Sequence, residues 1–170
     1  MSDHAYERDG APVSPEVFSR AACDPQRSVV VEACAGSGKT WLLVTRMLRL
    51  LLAGAAPSDI LAITFTRKAA EEMRQRLLDI LAQLATADDE GVVRELIART
   101  VDERDAPALI DTARGLYARV LESPSRMAID TFHGWFGSLL RGAPLSSGVQ
   151  QGASLREDAG RLRREAWAPF

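Results

Sequence analysis

Lysine is nearly absent from this chain. Of 21 basic side chains, 19 are arginine and only Lys39 and Lys68 are lysine. Cysteine is scarce too: Cys23 and Cys34 follow no metal-ligand spacing and are too few for a disulfide framework, so both are expected to be reduced and inert. No apolar stretch reaches the roughly 18 uninterrupted residues of a membrane span. The opening "MSDHAYERDGAPVSPE" has no charged-then-apolar signal pattern, from which we expect a cytoplasmic protein. Nor is there a large excess of either charge. The net charge of −2 argues neither for nor against nucleic acid, because binding needs a local basic surface rather than a basic average. The remaining composition, 46% apolar and 26% charged over 170 residues, fits one soluble domain or one domain and part of a second.

Elements alternate along the chain. Residues 1–16 carry Gly, Pro and charge and read as a loose arm; 17–23 read as a short helix before an Asp24-Pro25 turn. "SVVVEA" (28–33) is a β-branched run that reads as a buried strand, followed by a helix from about Lys39 to Ala53 with Gly54 as its stop. "ILAITF" (60–65) reads as a second buried strand. A long amphipathic helix from about Lys68 to Leu84 places Met73, Leu77, Ile80, Leu81 and Leu84 on one face. Asp88-Asp89-Glu90-Gly91 reads as a solvated loop before helices near 92–104 and 107–121. "RMAIDTF" (126–132) reads as a third strand, "HGWFGSLLR" as a short helix, 142–154 as a loop and 155–167 as a last helix. Strand–helix alternation of this kind predicts an α/β fold with a parallel sheet and right-handed crossovers.

Where the strand run meets the first long helix, Ala33–Thr40 ("ACAGSGKT") fits G-x-x-x-x-G-K-[ST] with Ala33 in place of the first Gly. In such a loop the backbone N–H groups of Gly36 to Thr40 cradle phosphates and the helix start adds partial positive charge. Gly36 and Gly38 are expected to keep side chains out of the phosphate's approach. Lys39 would contact β- and γ-phosphates, and the Thr40 hydroxyl would hold Mg²⁺. In so arginine-biased a chain, lysine at this one position is informative: a compact ammonium enters a phosphate cradle that a forked guanidinium does not fit. The expected nucleotide-contacting set is Ala33, Cys34, Ala35, Gly36, Ser37, Gly38, Lys39, Thr40 and Trp41, with Lys39 and Thr40 as the reactive pair.

Two further segments choose among nucleotide enzymes. "EACAGSGKT", then "ILAITFTRKAAEEMRQRL" (60–77), then "IDTFHGWF" (129–136), resemble in that order the opening motifs of superfamily-one DNA helicases of the UvrD and Rep type. Thr64, Phe65, Thr66, Ala69, Ala70, Glu72, Met73 and Arg76 carry the most specific of these motifs. Glu32 before the loop and the helical insertion at 92–121 resemble the RecB/AddA branch more than plain UvrD. The resemblance implies a P-loop NTPase fold with an incomplete RecA-like parallel sheet: a first RecA-like domain over 17–141 with an insertion near 85–122, and the start of an inserted helical subdomain at 142–170. It implies ATP and Mg²⁺ as cofactors, single-stranded DNA and duplex ends as partners, a second helicase-nuclease subunit, and a role in double-strand break repair.

It also implies a single-strand track built from Thr64, Phe65, Thr66, Arg67, Thr131, Phe132 and His133. Aromatic faces there would stack bases while hydroxyl, guanidinium and imidazole groups touch phosphate or sugar. From the residues alone, Phe65 and Phe132 read equally well as core aromatics at strand ends, His133 as a helix cap, and Glu72, Arg74 and Arg76 as a solvated helical face. An acidic segment for Mg²⁺ and an arginine finger do not stand out: Asp88-Asp89-Glu90 lacks a preceding apolar strand, and Asp130 lies in another motif. The family's upstream adenine-reading glutamine falls near Val17 or Phe18 by count, and Gln26 stands close to the strand. We therefore expect the first motor domain of a longer protein, inactive alone as a helicase. The alternatives are another P-loop enzyme, such as a small kinase or an ABC-type ATPase, and a non-catalytic nucleotide- or strand-binding fragment.

Overall fold

Prolines and small polar residues decide where the helices begin. In the computed structural model, which describes residues 6–34, 36–123, 127–142, 160 and 167, Ser14 caps the first helix, α1 (Pro15–Cys23), accepting from the Val17 amide. The cap and the proline at the first helical position supply the two signals that open a helix. α1 starts two residues before the expected 17–23. Ahead of it, β1 (Glu7–Arg8) and β2 (Ala11–Pro12) form a small antiparallel hairpin within the arm expected to be loose. Asp9 and Gly10 at its turn both have positive φ, 51° and 80°, the conformation a two-residue Asp-Gly hairpin needs. The Tyr6 ring rests 5.1 Å from that of Phe18 and ties the hairpin to α1.

α2 (Lys39–Leu52) ends where expected. Gly54 takes φ 98°, and the amides of Gly54 and Ala55 bond the carbonyls of Leu51 and Leu50, a left-handed helix stop. α3 (Arg67–Thr86) is capped by Thr66 and buries the expected face of Met73, Leu77, Ile80, Leu81 and Leu84. α4 (Asp89–Ala98) begins earlier than its 92–104 expectation, because Asp88 caps it and Asp89 and Glu90 occupy its first turn rather than a loop. It also stops earlier, at Thr100, whose φ of 65° no helix can continue. A single 3₁₀ turn leads into α5 (Ile110–Leu121).

The sheet is small. β3 (Leu61–Thr64) and β4 (Ala128–Thr131) pair in parallel, with Leu61 opposite Ala128 and Thr64 opposite Thr131. α3 packs against it, and Ile60, Ala62 and Ile129 join the core that α2 to α5 share. Leu48, Leu51, Leu77, Leu81, Leu84, Leu96 and Leu116 are its fully buried large side chains.

Two strand expectations need correction. Residues 28–33 form no strand: they have no ladder partner among the described residues, and Val30 is 93% exposed. A β-branched run carries strand propensity, but a strand exists only through its neighbours. The 60–65 run forms its strand without being buried, since Leu61 and Ile63 point to the uncovered face, 45% and 42% exposed.

The arginine surplus has a structural use. Arg119 bonds the Leu51 and Ala55 carbonyls, Arg114 that of Ala87, Arg74 that of Ile129, Arg49 that of Thr100, and Arg46 those of Ala22, Asp24 and Arg27. A planar fork with several donors reaches two carbonyls at once, which an ammonium point charge does less well.

The chain divides into two compact units, 1–132 and 133–170. Among the described residues of the second, α6 (Phe132–Arg141) begins at the junction and leaves Phe136, Leu139 and Leu140 about half exposed. The 142–154 loop and the 155–167 helix fall outside the described residues, except for Gly142, Gly160 and Trp167. No helix among the described residues is long and apolar enough to cross a membrane.

Candidate phosphate loop and strand-end surface

The loop at 33–40 joins an extended segment to the start of α2. Gly36 and Gly38 have φ of 80° and 84°, a region that strains any residue with a Cβ. A Cβ at either place would meet nothing within 4 Å, so within the chain itself these glycines answer to backbone conformation rather than to crowding. Ser37 closes the turn by donating its hydroxyl to the Cys34 carbonyl at 2.6 Å. The Lys39 ammonium folds back over the loop, donating to the carbonyls of Ala33 at 2.8 Å and Cys34 at 2.5 Å.

Gly38, the residue that precedes α2, has no side chain with which to cap it. The first amides of a helix have no intrahelical acceptor, so the N–H groups here, beside Lys39, form an anion site by construction. Gly36, Ser37, Gly38 and Lys39 are exposed and Thr40 is half-buried; Ala35 falls outside the described residues. The exposed amides, ammonium and hydroxyl suit a polyphosphate. No group of three or more His, Cys, Asp and Glu side chains among the described residues could hold a metal ion. Mg²⁺ would therefore draw on the Thr40 hydroxyl and the phosphates, in keeping with its usual sparse use of protein ligands.

Trp41, one turn into α2, is half-buried with the Arg99 guanidinium 5.7 Å from its ring centroid, while Arg99 pairs with Glu95 at 2.8 Å. The two cysteines differ. Cys34 is exposed on the loop, whereas Cys23 is fully buried, and burial pushes its thiol pKa up. A thiol held protonated is unreactive.

At the strand ends, the parallel register sets Thr64 beside Thr131, so the residues that follow each strand leave the sheet side by side. Phe65 is fully exposed at 102%, and Phe132 is 54% exposed. Neither is a core aromatic. Thr131 is buried, Thr64 half-buried and Arg67 exposed on the first turn of α3. The Thr66 hydroxyl is engaged, accepting from the Ala69 amide at 3.1 Å as the α3 cap. Arg76 pairs with Glu72 along the helix, as on any solvated helical face. Arg74 instead spans Glu71 and the Ile129 carbonyl, tying α3 to β4. His133 opens the second unit and is exposed there. Arg46, which no motif flagged, holds the turn that leads to the loop; its acceptors are backbone carbonyls, and these leave no mark in a sequence.

Comparison with known proteins agrees with this geometry. The UvrD/REP helicase N-terminal domain family matches residues 15–165. The chain is 32% identical over 113 residues to an ATP-dependent helicase/nuclease protein of Lactobacillus acidophilus, a match covering 62% of this chain and 9% of that protein. It is 47% identical over 58 residues to the protein of the same name in Lactobacillus helveticus, covering 34% of this chain and 5% of the relative. Against DNA helicase IV of Escherichia coli the identity is 42% over 81 residues, 47% of this chain and 12% of the relative. The chain thus spans a small fraction of the length of these relatives. With a match over nearly its whole length, the chain belongs to the UvrD/REP helicase N-terminal domain family.

Proposed function

We propose that this chain is the ATP-binding part of an ATP-dependent DNA helicase that couples ATP hydrolysis to movement along single-stranded DNA and duplex unwinding, in double-strand break repair. Family membership implies the P-loop nucleoside triphosphatase fold, and within it we read β3 and β4 as two strands of an incomplete RecA-like sheet. The observation that carries the reading is the uncapped start of α2 with Lys39 folded over its own loop.

On nucleotide binding, the Lys39 ammonium would exchange the Ala33 and Cys34 carbonyls for β- and γ-phosphate oxygens. The amides of Gly36 to Thr40 would hold the remaining phosphate charge. Mg²⁺, held in part by Thr40, would neutralise charge that builds up as the terminal phosphoryl leaves. The exposed Phe65 and Phe132 would stack bases, with Thr64 and Arg67 on the backbone. Thr66 would act through its cap on α3, which orients the Phe65 corner. For His133 the proposal rests on the sequence motif alone. Closure against a second motor domain would convert the nucleotide cycle into a step along the strand, so the chain alone binds without unwinding. In the larger protein a second helicase-nuclease chain would be its partner, as the names of the relatives suggest.

Calorimetric titration with Mg·ATP, and anisotropy of a labelled oligothymidine, test the proposal on this chain. Saturable binding of both is expected. Binding of neither would overturn it, and nucleotide binding without any strand binding would favour a different P-loop enzyme.

A further inference from the structure

The segment from Ser28 to Cys34 forms one arm of the phosphate loop and α2 forms the other. No strand among the described residues pairs with 28–33, so the usual ladder that would fix this arm is not made here. Side chains from α2 hold it instead, one at each end. At its far end Lys39 bonds the carbonyls of Ala33 and Cys34. At its near end Arg46 donates Nη1 to the Ala22 carbonyl at 3.1 Å and to the Asp24 carbonyl at 2.7 Å, and Nη2 to the Arg27 carbonyl. The turn it grips is well formed: Asp24 accepts from the Gln26 amide at 2.9 Å and pairs with Arg27 at 3.3 Å, while the buried Cys23 thiol faces the Leu42 carbonyl of α2 at 3.7 Å.

From this we infer that Arg46 is a positioning residue for the nucleotide site: by clamping the Ala22–Arg27 turn onto α2, it sets where the 28–34 arm meets Lys39 and Thr40. This rests on the nucleotide-binding reading above. The logic is one of division of labour. Lys39 cannot grip both the arm's carbonyls and a phosphate with the same donors, so when its ammonium turns to phosphate the arm depends on its other anchor. Arg46 lies about 10 Å along the helix from Lys39, two turns away, beyond reach of a phosphate held at the helix start. It acts on the arm rather than on the ligand. A guanidinium suits the role, since three carbonyls in a fan need donors on more than one nitrogen.

Arg119 supplies a matched control. It staples the Leu51 and Ala55 carbonyls at the other end of the same helix, at 2.7 and 2.9 Å, away from the loop. The experiment uses the full chain with a nitroxide on Cys34, the exposed thiol, read without nucleotide, and Mg·ATP affinity measured separately on unlabelled protein. Arg46→Ala is expected to sharpen the nitroxide spectrum and weaken Mg·ATP by about tenfold or more, the equivalent of one charge-assisted hydrogen bond. Arg119→Ala is expected to do neither at a similar loss of denaturant resistance. Ethylguanidinium in the buffer is expected to restore affinity to Arg46→Ala alone. A wild-type spectrum in Arg46→Ala, or equal affinity losses in the two variants, would overturn the inference. If Arg46→Ala does not fold, Arg46→Lys decides: an intermediate spectrum supports the clamp and a wild-type one removes it. If the wild-type chain binds no Mg·ATP, the functional reading fails, while the spectra still decide whether Arg46 holds the arm.

Discussion

The helical body and the phosphate-loop arm of the same unit are built by different means. In the body, leucines from α2, α3, α4 and α5 interlock until Leu48, Leu51, Leu81, Leu84, Leu96 and Leu116 lose all contact with solvent. The arm at 28–38 buries almost nothing, with Val30 at 93% exposure, and is held by polar side chains acting on backbone carbonyls. Stability and ligand chemistry thus occupy separate parts of the unit. Burial supplies rigidity where no ligand is needed, and the loop keeps its amides and ammonium open to water because phosphate must reach them.

This contrast can be broken by mutation. Leu81→Ala should destabilise the chain by about 3 kcal/mol, the usual cost of emptying a closed leucine site, read as a lowered urea midpoint at unchanged slope. A loss below about 1 kcal/mol would mean that the body is less tightly packed than its burial indicates. Phe65→Ala should leave the urea midpoint unchanged and weaken oligothymidine binding by about 1–3 kcal/mol, the worth of one stacked base. Loss of stability instead would return this ring to the core. Thr66→Ala removes the α3 cap and should cost about 1 kcal/mol in the same denaturation assay. Val30→Ser should shift stability by less than about 0.5 kcal/mol, as at any exposed site. A larger loss would show that the arm is buried in solution after all.

How much of this was legible in the sequence depended on whether the deciding interaction was local. The buried face of α3 could be read off because the spacing of Met73, Leu77, Ile80, Leu81 and Leu84 encodes it. The stop of α2 at Gly54 was legible for the same reason, a residue type that fits its backbone. The end of α4 was not: Thr100 carries no stop signal, and its left-handed conformation is accompanied by Arg49 bonding its carbonyl and hydroxyl from 51 residues away. The valines at 28–33 advertised a strand that needs neighbours to exist. Asp9-Gly10 was a hairpin signal without the apolar flanks that usually accompany it.

At the site, the phosphate loop was legible because one contiguous motif contains the whole of it. The side-by-side strand ends of Thr64 and Thr131 were legible in outline, but the exposure of Phe65 and the engagement of Thr66 in a cap depend on how α3 leaves the sheet. Arg46 was illegible in principle, since every residue has a carbonyl to offer.

The central claim is that the loop before α2 is a polyphosphate site whose key charge is Lys39. Calorimetric titration of Mg·ATP into the wild-type chain and into Lys39→Ala tests it most directly. The account predicts saturable binding to the wild type, no measurable binding to the variant, and the same urea midpoint for both, because Lys39 is exposed and its bonds are confined to the loop. Equal affinity in the two proteins would contradict it.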